Sequence, residues 1–194
     1  MSAKLSLELI TDREQYRMRF HDVGVQNPVL WSTLSAIRGL ESIGGISVLE
    51  IGATPDVNDG NFSSYFIPKG ANYESVVLGG PSQESPYIHQ VGNFTNITTG
   101  QHDIIIAHGV FEYGGIGRKS GADIGSSRKS FDKTKYAEKL ADLVYGGGYI
   151  ILTTFRNQCI FTEDDYAKAG LTLIGKVPHI IFNAGEVILL QKNL

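Results

Sequence analysis

Apolar residues near the start of the chain recur at intervals of three and four. Tyr16, Phe20 and Val23 fall on one face of a helix, and Thr11 followed three residues later by Glu14 has the spacing of a capping box at its start. Asn27 and Pro28 read as the cap and first turn of a second helix, with Leu30, Leu34, Ile37 and Leu40 as its apolar stripe and Ile43-Gly44-Gly45 as its stop. From Ile46 the pattern changes. The runs 46–51, 75–78, 103–107 and 149–153 are apolar on both alternating faces and bounded by Gly, Pro or Asn, which predicts strands of a parallel sheet buried on both sides. A short helix through Phe62, Tyr65 and Phe66 follows the first run. Residues 132–145 place Tyr136, Leu140, Leu143 and Val144 on a helical face that Gly146-Gly147-Gly148 terminates. A last helix is predicted over 162–169, with Thr162 and Asp165 at capping-box spacing and Gly170 at its end. Residues 171–177 and 186–191 then flank a turn at Asn183-Ala184-Gly185 and read as an antiparallel hairpin at the sheet edge.

Composition narrows the class without changing this picture. With 194 residues, 42% of them hydrophobic, the chain is sized for one packed domain, read as an α/β unit over 46–194 with the helices of 1–45 packed on it. No apolar run is long enough to span a bilayer. A net charge of -3 supplies no global positive field for phosphates, so no nucleic-acid partner is expected. The single cysteine, Cys159, has no partner for an intramolecular disulfide, and residues 1–10 lack the basic start and apolar stretch of a secretory signal, so the expected setting is cytoplasmic. The histidines show no ligand spacing and no metal is expected.

In an open α/β sheet, ligands bind where loops leave the carboxyl ends of the strands. Four loops therefore matter, beginning at Gly52, Gly79, His108 and Thr154. Glu50 at the end of the first strand either caps loop amides or faces a ligand, and Gly52 permits a tight turn and close backbone approach. His108 is placed as a general base near neutral pH, with Glu112 to orient it or a substrate amine; the alternative for His108 is a packed structural role. Residues 113–131 form a long Gly-rich connection carrying Arg118, Lys119, Arg128 and Lys129. Such a loop is either a lid that recognises an anionic group or a solvated connection.

Several of these segments, in their order, resemble class I, Rossmann-like, S-adenosylmethionine-dependent methyltransferases. Val48-Leu49-Glu50-Ile51-Gly52-Ala53 is similar to the family's first motif, and Asp103-Ile104-Ile105-Ile106-Ala107-His108-Gly109 to its fourth strand and following turn. The run from Leu143 to Thr154 is similar to its Gly-Gly helix end and fifth strand, and the C-terminal hairpin to its last two strands. The resemblance implies a mostly parallel seven-stranded sheet with an antiparallel C-terminal hairpin and helices on both faces. It further implies a cofactor held by Glu50, Gly52, Ala53, Gly79, Asn93 and His108, with His108 and Glu112 catalytic and Arg118, Lys119 and Arg128 toward a small-molecule or anionic substrate.

The chain departs from the family pattern at the cofactor. Thr54, Pro55 and Asp56 stand where Gly-x-Gly continues, and the second strand ends in Gly79-Gly80 where the family has an acid for the ribose hydroxyls. Asn93 stands where an Asp meets the adenine, and its amide oxygen still accepts a hydrogen bond. The expectation is a methyltransferase acting on a small-molecule or carbohydrate-like acceptor, with weak cofactor binding. The alternative is the same fold without cofactor, serving as a binding or assembly module. The sequence specifies neither acceptor nor oligomeric state.

Overall fold

The structure is a computed structural model that describes residues 5–22, 28–41, 43–52, 62–77, 88–91, 94–111, 133–155, 158–181 and 184–194. At the N-terminus a short strand β1 (Glu8–Leu9) leads into helix α1 (Arg13–Asp22), which is followed by α2 (Pro28–Ser35) and a second short strand β2 (Ile37–Arg38). Asp12, and not Thr11, caps α1: its Oδ1 accepts the backbone N–H groups of Glu14 and Gln15, each at 2.9 Å. Asp presents two acceptor oxygens to the positive end of the helix, which makes it the better cap.

The second predicted helix stops early. Ile37 and Leu40 are fully buried as expected, but Ile37 pairs with Leu9 and Arg38 with Glu8 in an antiparallel ribbon. Gly39 holds φ +92°, and a Cβ there would lie 2.2 Å from the Ser6 carbonyl oxygen, so the chain turns tightly against the N-terminal segment. Strand pairing thus overrides a helical spacing that residues 37–40 satisfy equally well.

The main sheet comprises β3 (Ser47–Ile51), β4 (Asn72–Val77), β5 (Ile88–Val91), β6 (His102–His108), β7 (Val144–Thr153), β8 (Leu171–Pro178) and β9 (Glu186–Lys192). Its seven strands run in the order β5-β4-β3-β6-β7-β9-β8, parallel except for β9, which is antiparallel to both β7 and β8. Six of the strands and the hairpin at the edge match the predicted runs, while β5 has no counterpart among them and completes the seven that the resemblance implies. Helix α3 (Ser63–Phe66) follows β3, α4 (Lys133–Asp142) precedes β7, and α5 (Glu163–Lys168) precedes β8. Thr162 caps α5 through a capping box with Asp165, as its spacing predicts.

Alternation along the central strands divides the core. Leu49, Ile51, Ile105, Ala107, Ile150 and Leu152 pack on one side with Leu140 of α4 and Tyr166 of α5. Val48, Ile104, Ile106, Tyr149 and Ile151 pack on the other with Tyr16, Leu30, Leu34, Phe62 and Phe66. The N-terminal segment therefore shares one continuous core with the sheet, and both faces are covered, as a parallel sheet requires.

The glycines 146–148 do not end a helix. Helix α4 has already stopped at Asp142, and these glycines lie inside β7, where pairing with β6 slips: His102 faces Val144 but Ile104 faces Tyr149. Gly147 has φ +79°, and a Cβ on Gly148 would sit 2.8 Å from the Asp103 carbonyl oxygen. Glycine is needed there for a strand irregularity rather than a helix stop.

Candidate functional site

The strand order reverses direction between β3 and β6. From β3 the chain builds outward through β4 and β5, then crosses to the opposite side of β3 to lay down β6 and β7. In a doubly wound sheet the two loops that leave such a point diverge and open a crevice at the carboxyl ends of the strands. On β3 that end carries Glu50, Ile51 and Gly52; on β6 it carries His108, Gly109 and Val110.

Glu50 is only 2% exposed. Its Oε2 accepts the backbone N–H of Phe62 at 3.1 Å and the hydroxyl of Tyr73. Burial raises its pKa from 4.5 to about 7, against the opposing pull of the Tyr73 and Phe62 donors. The carboxyl thus titrates near neutrality, held by two bonds that favour its charged form. Gly52 turns the chain out of β3 at φ +88°, with its N–H donating to the Val76 carbonyl at 2.9 Å. The predicted contact of Glu50 with loop amides is present; a ligand role for it lies beyond the contacts described.

His108 ends β6 on the same side of the sheet as Glu50, because Glu50 is in register with Ile106 and His108 lies two residues further on. Phe62 stands beside both. Its amide binds Glu50 and its ring meets the His108 imidazole edge to face, with centroids 5.5 Å apart. Phe155 approaches the imidazole in the same manner at 4.5 Å. The Nδ1 atom of His108 is buried with no hydrogen-bond partner among the described residues. Burial, then the neighbouring His179, lower its pKa to about 3, so the imidazole is neutral at physiological pH. The neutral imidazole is the form a general base needs, but a pKa this low makes it a weaker base than the one near neutrality that the sequence suggests. The apolar aromatic walls are the physical reason.

Behind Phe155 lies a buried polar seam absent from the sequence reading. His179 Nδ1 accepts the Ile181 N–H at 3.2 Å, which leaves Nε2 as the protonated nitrogen donating to Ser32 Oγ at 2.5 Å. Thr33 Oγ1 meets Thr153 Oγ1 at 3.0 Å, and the Tyr16 hydroxyl donates to the Ser32 carbonyl at 2.6 Å. Helices α1 and α2 are thereby fastened to the ends of β7 and β8. Burial holds His179 at about 4, so this seam stays uncharged above that pH.

The remaining predicted residues, Ala53, Gly79, Asn93, Glu112, Arg118, Lys119 and Arg128, lie outside the described residues, as does the Gly-rich connection 113–131. Among the described residues no group of His, Cys, Asp and Glu gathers as a metal site, and no helix is long and apolar enough to cross a membrane.

No family model matches the chain, and no curated protein sequence matches it. Its structure is similar to several solved ones. A TehB-like SAM-dependent methyltransferase from Corynebacterium glutamicum ATCC 13032 Kitasato aligns over 77% of this chain and 82% of its own, at 16% identity and a TM-score of 0.54. The N-methyltransferase NodS from Bradyrhizobium japonicum WM9 aligns over 95% of this chain and 100% of its own, at 12% identity and a TM-score of 0.53. An S-adenosylmethionine dependent methyltransferase from Mesorhizobium loti aligns over 78% of this chain and 93% of its own, at 9% identity and a TM-score of 0.54. At such identities the likeness establishes the architecture: the chain has the Rossmann-like fold of class I methyltransferases.

Proposed function

We propose that this chain binds S-adenosylmethionine in the crevice between β3 and β6 and is a methyltransferase for a small-molecule or carbohydrate-like acceptor. The observation that carries the reading is the placement of Glu50, Gly52 and His108 together at the one point where the sheet reverses its strand order. The residues suit the cofactor. Glu50 is a carboxylate kept in a low-dielectric setting, where a bond to the cofactor's ammonium or hydroxyl groups is strong. Gly52 brings the backbone to the ligand without a side chain, and Phe62, Phe155 and Val110 supply apolar wall. Ala53, Gly79 and Asn93 belong to the same proposal, as do Arg118, Lys119 and Arg128 toward an anionic part of the acceptor.

The cofactor supplies an electrophilic methyl group on a sulfonium. The protein's task is alignment of donor and acceptor in a water-poor site. With its pKa near 3, His108 is too weak a base to store a proton from the acceptor at neutral pH. Its orphaned Nδ1 serves instead as a neutral hydrogen-bonding group that orients the acceptor, with Glu112 the remaining candidate for charge. Any limb of the activity profile near pH 7 is therefore assigned to Glu50. Glu50→Gln is expected to remove that limb and His108→Gln to leave it in place, as read from rates between pH 5 and 9.

Calorimetric titration with S-adenosylmethionine and its demethylated product tests the reading. Without an acid at Gly79 one charged hydrogen bond to the ribose is lost, at a cost of about 1.5–3 kcal/mol, so binding is expected to be at least about tenfold weaker than in a relative with the full motif. Gly79→Asp is expected to tighten it. No heat and no thermal shift at millimolar ligand would leave a fold without the cofactor, a binding or assembly module.

A further inference from the structure

Tyr73 lies on β4, and its register with Val48 places it on the same side of the sheet as Glu50, whose own register partner is Ser75. Its ring stacks on Phe66 of α3, with centroids 6.4 Å apart and planes 14° from parallel. The Ser63 backbone and the Ser75 side chain favour the ionised form of the phenol, against burial and the Glu50 carboxyl that hold the hydroxyl protonated. The Tyr73 hydroxyl donates its proton to Glu50 Oε2. The hydroxyl and the Phe62 amide thus converge on one oxygen of the carboxylate in a buried setting, where such bonds are strengthened.

We propose that Tyr73 is a positioning residue for the site: it fixes the Glu50 carboxyl in one orientation and favours the ionised form that a cationic or hydroxyl-bearing ligand needs. The proposal rests on the assignment of Glu50 to the ligand site. Both described bonds to Glu50 fall on Oε2, from Tyr73 and from the Phe62 amide, so the carboxyl is anchored through one oxygen. Tyr73 and Ser75 on β4, and His108 on β6 two residues beyond its register partner, share the face of the sheet that carries Glu50, and the donors to its carboxyl are Tyr73 and Phe62. His108 is uncharged, and no cation is described beside the carboxyl. The Tyr73 hydroxyl and the Phe62 amide are therefore what favour ionisation against burial, which already raises the pKa to about 7.

The substitution Tyr73→Phe removes one oxygen and keeps the ring on Phe66. The carboxyl is then expected to titrate roughly one pH unit higher, since one of two stabilising donors is gone. Two readouts separate this proposal from the cofactor reading. The first needs no ligand: the pH midpoint of Glu50, followed through the pH dependence of unfolding in wild type, Tyr73→Phe and Glu50→Gln, moves upward in Tyr73→Phe and vanishes in Glu50→Gln. The second is the affinity for S-adenosylmethionine, expected to fall about fivefold at pH 7 in Tyr73→Phe, as the ionised fraction does, and to recover toward wild type at pH 9. A merely structural tyrosine would weaken binding equally at every pH. An unmoved midpoint in the unfolding series overturns the proposal. A moved midpoint in a protein that binds no S-adenosylmethionine at any pH sustains the positioning of Glu50 by Tyr73 and overturns the cofactor reading alone.

Discussion

Glu50→Gln is expected to make the protein more stable at pH 8 than the wild type, by up to about 3 kcal/mol, and to leave stability at pH 4 nearly unchanged. Burial raises the Glu50 pKa from 4.5 to about 7. Between those values the native protein retains a proton that the unfolded chain has released, so stability falls as pH rises through this window and stays low above it. A shift of that size corresponds to about 3 kcal/mol of disfavour for the ionised native state, at about 1.4 kcal/mol per unit. Glutamine carries no charge to desolvate, and its amide oxygen still accepts from the Phe62 amide and the Tyr73 hydroxyl. Urea unfolding of both proteins at pH 4, 6 and 8 reads the difference directly. The same variant is expected to lose ligand affinity, because a neutral amide replaces the anionic acceptor. Stability gained where function is lost is the signature of a group retained for its chemistry. If Glu50→Gln is instead less stable at every pH, the carboxyl is a structural cap for Phe62 and the ligand role fails.

Glu50 also shows where the sequence stops being legible. Its position at a strand end follows from the run Val48-Leu49-Glu50-Ile51-Gly52, because a lone acid in a doubly buried strand stands out against its neighbours. The central strands, α5 with its capping box, and the closing hairpin all follow from local patterns, since each is specified by residues a few positions apart. The partner Tyr73 does not. Its role depends on the parallel pairing of β3 with β4 across the segment containing α3, and the period of two then decides that it shares a face with Glu50. That pairing and parity, taken together, were the available signal. The neutrality of His108 was beyond reach for a similar reason, because Phe62 and Phe155 converge on it from segments 46 residues before and 47 after. The shortened second helix and the glycines of β7 failed through a different cause: the local signal was real, but tertiary pairing with β1 and β6 used the same residues otherwise.

Gly52→Ala is expected to cost about 2–5 kcal/mol of folding stability and to abolish ligand binding. Two separate penalties combine. At φ +88° an L side chain is strained by roughly 1–2 kcal/mol, and the new Cβ would lie 2.3 Å from Val110 Cγ2, an overlap that forces repacking at about 1–3 kcal/mol. Val110 is 5% exposed and belongs to the buried core, so it has little freedom to withdraw. The two penalties separate in a double-mutant cycle. Val110→Ala alone is expected to destabilise by about 1–3 kcal/mol through loss of buried methyl groups. With Gly52→Ala it relieves the overlap, so the two changes together are expected to cost about 1–2 kcal/mol less than their sum. The backbone strain remains in the double variant. Ligand affinity then distinguishes the two functions of the glycine. If affinity recovers in the double variant as the overlap is relieved, Gly52 is needed only for packing; if the coupling appears in stability and affinity does not recover, the backbone conformation at the end of β3 is itself part of the binding site. The proposed function requires the second outcome, because the close approach of that backbone to the ligand is what places Gly52 in the site at all.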